Sequence, residues 1–125
     1  MKKFVFIALF FLSITSHAST SWILVAETSS GDQIFIDRNS IQKSGDSRTF
    51  WVLSNFKERK EGDLSSKVQR TINCRTREMI GRYYMFYDDI NNMGKLTNNI
   101  NNDKGKWDPI APETIGWDFM IFVCK

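Results

Sequence analysis

Along residues 22–87 the apolar positions recur with a period of two, the spacing that sends successive side chains to opposite faces of a strand. Residues 22–27 (WILVAE) and 33–37 (QIFID) form two such runs around Ser29-Ser30-Gly31-Asp32, a turn composition, and predict a hairpin. Asn39-Ser40 and then 44–47 mark the next loops. Residues 48–56 (RTFWVLSNF) are rich in aromatic and β-branched side chains and predict a central strand. The charged, glycine-containing stretch 58–63 reads as an exposed turn. Beyond it, 65–74 alternates. Val68, Ile72 and Cys74 share one face, Lys67, Gln69, Thr71 and Asn73 share the other, and Arg70 interrupts the apolar face. Residues 77–88 alternate again. Their pattern assigns Met79, Gly81, Tyr83, Met85 and Tyr87 to one side and Glu78, Ile80, Arg82, Tyr84 and Phe86 to the other. Long antiparallel strands with one face buried explain this pattern.

The alternation stops over 88–106. Asn91, Asn92, Asn98, Asn99, Asn101 and Asn102, with Gly94 and Gly105, predict an irregular, mobile loop that can hold one short strand around 95–97. Trp107 restarts the order. The last segment supports two readings. Pro112 and Glu113 suit the first turn of a helix that would align Ile115, Phe119 and Phe122, but FMIFVC also suits a buried strand, and Gly116 weakens a helix.

The first 18 residues change the picture of the rest. Lys2 and Lys3 precede an apolar run from Phe4 to Leu12, and Ser16 and Ala18 occupy the small-residue positions before a cut. This is the layout of a secretory signal peptide, and the run is far shorter than the roughly 20 residues that span a bilayer. Residues 1–18 are expected to be removed, leaving 19–125 as one small domain in the periplasm, at the cell surface or outside the cell. No cysteine lies near the cut, so no lipid anchor is expected. Without Lys2 and Lys3 the 17 basic residues become 15 against 14 acidic ones, and the net charge falls from +3 to +1. His17, the only histidine, is lost as well. In an oxidising compartment the two cysteines, Cys74 and Cys124, are expected to close into a disulfide. The loop it closes is worth roughly 4 kcal/mol by chain entropy.

These facts narrow the chemistry. Without histidine or a free thiol, histidine-assisted serine and cysteine catalysis is unavailable. Asp88 and Asp89, adjacent in sequence, point to opposite faces of a strand and read as the opening of the following loop. Asn99, Asn101 and Asp103 start like a calcium loop, but the glycine falls at 105 and Ile110 stands where the bidentate glutamate belongs. No enzyme activity, cofactor or metal is expected. Lys67, Arg70, Arg75, Arg77 and Arg82 form a basic cluster of mixed parity, suited to an ordinary solvated sheet face or to a sulfated glycan or acidic protein. Export and a net charge near zero disfavour nucleic acid. Trp51 and Phe35 are expected in the core, whereas Tyr83, Tyr84 and Tyr87 cover both faces of one strand, which puts at least one near the surface.

The order of short motifs carries more. The Trp22 strand, Phe35-Ile36-Asp37 followed by Ser40-Ile41, and Trp51-Val52-Leu53 come first. Ser65-Ser66-Lys67 then leads into Asn73-Cys74-Arg75, and Tyr87 precedes Met93-Gly94. Trp107-Asp108-Pro109-Ile110-Ala111-Pro112 and Val123-Cys124 close the series. In these features the chain resembles the surface-adhesin protein E family of exported bacterial proteins, across nearly all of residues 19–125. The resemblance implies an α+β fold. An antiparallel sheet of about six strands would carry one C-terminal helix, tied to it by the disulfide. It implies binding of host extracellular-matrix and plasma proteins, and a likeness to a dimer-forming domain. The absent lipid-anchoring cysteine departs from the name-giving adhesin. The combined expectation is an exported, non-catalytic binding domain. Its partner would be a protein or sulfated glycan, met by the strand 77–87 (Arg77, Arg82, Tyr83, Tyr84, Tyr87) with Lys67 and Arg70. The alternative is a periplasmic structural or inhibitory subunit that docks on an envelope complex, or a homodimer, through an open sheet edge.

Overall fold

The computed structural model describes residues 19–102 and 104–125; the signal-peptide expectation therefore lies outside the described residues. The strands are β1 (Trp22–Glu27), β2 (Gln33–Asp37), β3 (Gln42–Ser44), β4 (Ser47–Lys60), β5 (Asp63–Asn73), β6 (Glu78–Tyr87), β7 (Leu96–Asn101) and β8 (Asp108–Pro109). The helix α1 follows at Ile115–Val123. One antiparallel sheet runs β1-β2-β4-β5-β6-β7, with β3 paired to β4 and β8 to β6. The expected strand count of about six is thus the main path, and two short strands bring the described total to eight.

The long pair β4 and β5 forms the spine. The charged turn between them is narrower than the sequence pattern predicts. Lys60 pairs with Asp63 across Glu61 and Gly62, both at positive φ (52° and 90°), which is the backbone a two-residue hairpin turn demands. Ile34 and Ile36 of β2, Phe50 and Val52 of β4, and Ile72 of β5 point to one face, where α1 adds Phe119, Met120 and Val123. Phe50 and Phe119 meet edge to face with centroids 5.9 Å apart.

The ambiguous last segment is a helix, but it starts after Pro112. Thr114 is the N-cap, its Oγ1 accepting from the Trp117 N–H at 3.3 Å, and Asp118 lies in the first turn. Gly116 belongs there for reasons of space. A Cβ on it would stand 3.2 Å from Met79 Cε, so the glycine lets the first turn lie close to β6. The disulfide joins Cys74, just past β5, to Cys124, the C-cap of α1, with Cα atoms 5.8 Å apart.

Two predicted features are corrected. The strand expected around 95–97 in the asparagine-rich segment is longer: β7 runs Leu96–Asn101 as an exposed edge strand between irregular stretches. Asparagine disfavours strands intrinsically, but pairing with Tyr83–Tyr87 of β6 overrides that preference. The regular alternation of β6 also fails. Gln69 pairs with Tyr83 and Arg70 with Gly81, so Arg82 is an extra residue, a β-bulge. Met79 and Gly81 lie on the helix-covered face with Ile72 and Arg70. Past the bulge the parity reverses, and Tyr83, Met85 and Tyr87 share the opposite face with Gln69, Lys67 and Ser65.

Candidate functional site

Among the described residues no helix or second sheet covers the face opposite α1. Its centre is built from alternate residues of five adjacent strands, β1, β2, β4, β5 and β6. Trp22 pairs with Asp37, and Phe35 with Leu53; Trp51 pairs with Gln69, Leu53 with Lys67, and Gln69 and Lys67 in turn with Tyr83 and Met85. Trp22, Phe35, Trp51, Lys67, Tyr83 and Tyr87 are all half-buried. The Lys67 ammonium stands 4.7 Å from the Trp51 ring centroid and 6.0 Å from that of Trp22. Trp51 meets Tyr83 edge to face with centroids 6.4 Å apart. The ammonium is therefore held between indole faces while its rim stays wet.

The two ends of this face are closed by loops. At one end Asn55 and Asn91 exchange hydrogen bonds, and Ser65 Oγ donates to the Asp89 carbonyl at 2.6 Å. At the other, Arg82 donates from Nε to Thr71 Oγ1 at 3.2 Å and lies over the Trp107 ring at 5.6 Å. Between the ends is a depression of about 330 Å³ lined by Asp37, Asn39, Thr49, Trp51, Lys67 and Gln69. Asp37 is fixed there, its Oδ1 accepting the N–H groups of Ser21 and Asn39. The result is a trough with aromatic walls, amide and hydroxyl groups, and two cations, Lys67 and Arg82. Such a surface can stack on a sugar ring or an apolar side chain and hold an anionic group beside it. Burial, with the neighbouring Tyr83, pushes the Tyr87 hydroxyl above its ordinary pKa, so it stays protonated as a donor.

Of the residues singled out from sequence, Lys67, Arg82, Tyr83 and Tyr87 come together here. Arg70 and Tyr84 lie on the helix-covered face, and Arg77 sits in the turn before β6 at 5.6 Å from the Trp117 ring. Arg75 pairs with Asp46 at 3.1 Å on the surface. Trp51 and Phe35, expected in the core, instead wall the trough, because Phe50, Val52, Ile34 and Ile36 take the core side. Trp22 was not singled out as a site residue; its parity with Asp37 and Trp51 is the signal that identifies it. Asn99 and Asn101 belong to a paired strand, a geometry at odds with a loop wrapped on one cation, and Asp103 lies outside the described residues. Asp88 and Asp89 open the following loop as expected, their Oδ1 atoms accepting from Lys95 N and Ile90 N. No helix among the described residues is long and apolar enough to cross a membrane.

Residues 22–125 match the family model described as surface-adhesin protein E. Among solved structures the chain is similar to Haemophilus influenzae protein E. Crystal form II is 18% identical at a TM-score of 0.59, covering 82% of this chain and 86% of that one. The selenomethionine form is 18% identical at 0.60, covering 82% and 84%. Protein E from non-typeable H. influenzae is 17% identical at 0.55, covering 82% and 74%. At such identities the likeness speaks to the fold. No curated protein sequence matches the chain.

Proposed function

Because the chain belongs to the surface-adhesin protein E family, we propose that it is an exported, non-catalytic, adhesin-like binding domain whose contact surface is the uncovered sheet face. The observation that carries this reading is the Trp51–Lys67–Tyr83 cluster, an aromatic-lined cation on a sheet face that the fold leaves open. Aromatic and cationic groups in a half-buried centre are the composition of contact hot spots. The partner class that fits is a sulfated glycan or an acidic protein segment: the sulfate or carboxylate would meet Lys67 and Arg82, and the rings would cover the apolar part. Retention of the disulfide-closed protein on heparin beyond physiological salt, and earlier elution of Lys67→Glu with unchanged melting temperature, supports the proposal. Elution of the unmodified protein well below physiological salt counts against the glycan. Failure to bind acidic matrix proteins as well would remove the reading.

A second reading has its own observation. All six residues of β7 are exposed, and Leu96 and Ile100 add apolar side chains to this open sheet edge. Strand pairing at β7 would suit a periplasmic subunit docking on an envelope complex, or a homodimer. Protease treatment of intact cells separates the two: an adhesin is shaved from the surface, a periplasmic subunit is spared.

A further inference from the structure

The helix-covered face holds a cation, Arg70, that meets two aromatic rings and the Tyr84 hydroxyl. Arg70 lies in β5 between Val68 and Ile72, opposite Phe50 on one side and Gly81 on the other. Its guanidinium carbon stands 5.9 Å from the Tyr84 ring centroid and 6.0 Å from that of Phe119. Nε is buried without a hydrogen-bond partner. Neither of the ion pairs among the described residues involves Arg70. Burial lowers its pKa and Tyr84 opposes the shift, but a guanidinium stays protonated in a protein. The side chain as a whole is half-buried; a partly desolvated cation without a carboxylate partner carries a cost that a ligand anion would relieve.

The same guanidinium lines a cavity of about 260 Å³ between the sheet and the first turn of α1. Ile34, Val52, Val68, Met79 and Phe119 make its walls apolar, and the cross-strand pair Ser54 and Ser66 adds two hydroxyls. Gly116, at the start of α1, lines it as well and adds no side chain to it. Inorganic phosphate or sulfate would leave the apolar walls unpaired, and a neutral hydrocarbon would leave Arg70 unpaired.

We propose that this cleft binds a small monocarboxylate with a short apolar tail, the carboxylate on Arg70 and the tail against Val52, Met79 and Phe119. The site lies on the opposite face from the trough, so it stands or falls independently of the adhesin reading.

Sodium octanoate, acetate and 1-octanol, titrated separately into the disulfide-closed protein at millimolar concentration, test this by amide and arginine side-chain NMR. Octanoate is expected to shift the Arg70 Nε–H signal saturably, together with Val68 and Phe119. Its affinity should exceed that of octanol by about tenfold or more, the worth of a charge-assisted hydrogen bond, and that of acetate by about tenfold or more through burial of the tail. Arg70→Met should bind octanoate no better than octanol. If that variant does not fold, the three-ligand comparison on the unmodified protein decides alone. Equal binding of octanoate and octanol overturns the proposal. So do shifts confined to other regions, or a cleft that holds only water and answers none of the three.

Discussion

The disulfide between Cys74 and Cys124 spans 50 positions and cross-links the end of α1 to the sheet. Replacing both cysteines by serine removes the cross-link without leaving a thiol. For a loop of that length the denatured chain regains about 14 cal/mol/K, or about 4 kcal/mol at 25 °C. A domain of this size loses about 4–8 °C per kcal/mol, so the melting temperature should fall by roughly 16–30 °C. The loss should also be localised. The helix has only nine residues, too few to persist alone in water, and it is held by Phe119, Met120 and Val123 besides the bridge. Amide exchange should therefore show α1 opening before β4 and β5, exposing Phe50 and Ile72 to a hydrophobic dye. Thermal unfolding followed by circular dichroism, paired with exchange mass spectrometry, reads both effects. A melting temperature within about 5 °C of the parent, with α1 as protected as before, would refute the reasoning that the bridge acts by constraining the unfolded chain and tethering the helix.

Gly81→Ala should destabilise by about 1–3 kcal/mol in urea unfolding, as overpacking does. Its new Cβ would fall 2.0 Å from the Tyr84 hydroxyl and 2.5 Å from Cζ. Tyr84→Ala in the same chain should return part of the loss, and no rescue would mean that the clash lies elsewhere. Asp32 is buried, accepts the Lys57 N–H at 3.0 Å and pairs with Lys60 at 2.6 Å; the lysine contact is the main force holding its carboxyl below the ordinary pKa. A depressed carboxyl stabilises above its unfolded pKa of about 3.9, and the contribution is lost as pH falls through the lower folded value. Asp32→Ala should therefore cost about 1–3 kcal/mol at neutral pH, and its gap to the parent should close below about pH 4. A gap constant from pH 7 to 3 would show that the carboxylate charge is not what matters. Gly62→Ala, at φ 90°, should cost about 1 kcal/mol through left-handed strain at the hairpin tip; an unchanged urea midpoint would contradict that turn.

The order of strands and the central position of 48–56 were legible because each rests on local pattern, and the cysteine pair because two thiols behind an export signal leave one pairing. What was hidden depended on partners distant in sequence. Leu96–Asn101 carries three asparagines and little β-propensity, and only pairing with β6 makes it a strand. Phe50 and Trp51 are adjacent aromatic residues, and nothing local says which faces the core; α1, more than 60 residues later, chooses Phe50. The helix start was readable in principle, since Thr114 three residues before Trp117 is an N-cap placement, but Pro112 drew the expected boundary too early. The bulge at Arg82 had one signal, an isolated glycine at 81 inside a strand pattern, which marks a bulge or a close approach and here marks both.

That single inserted residue links the two proposed sites. With an unbroken register, Ile80 opposite Thr71 and Gly81 opposite Arg70 would be followed by Arg82 opposite Gln69, Tyr83 opposite Val68 and Tyr84 opposite Lys67. Tyr83 would then turn towards the helix and Tyr84 towards the open face. The bulge advances the strand by one position, so Tyr83 stands against Trp51 in the trough while Tyr84 folds back over Gly81 to flank Arg70 in the cleft. Because a strand's side chains alternate strictly, neither tyrosine can change face without the other. The two faces of β6 are therefore set by the same backbone irregularity, and Gly81 is the position where the lack of a side chain makes that irregularity fit.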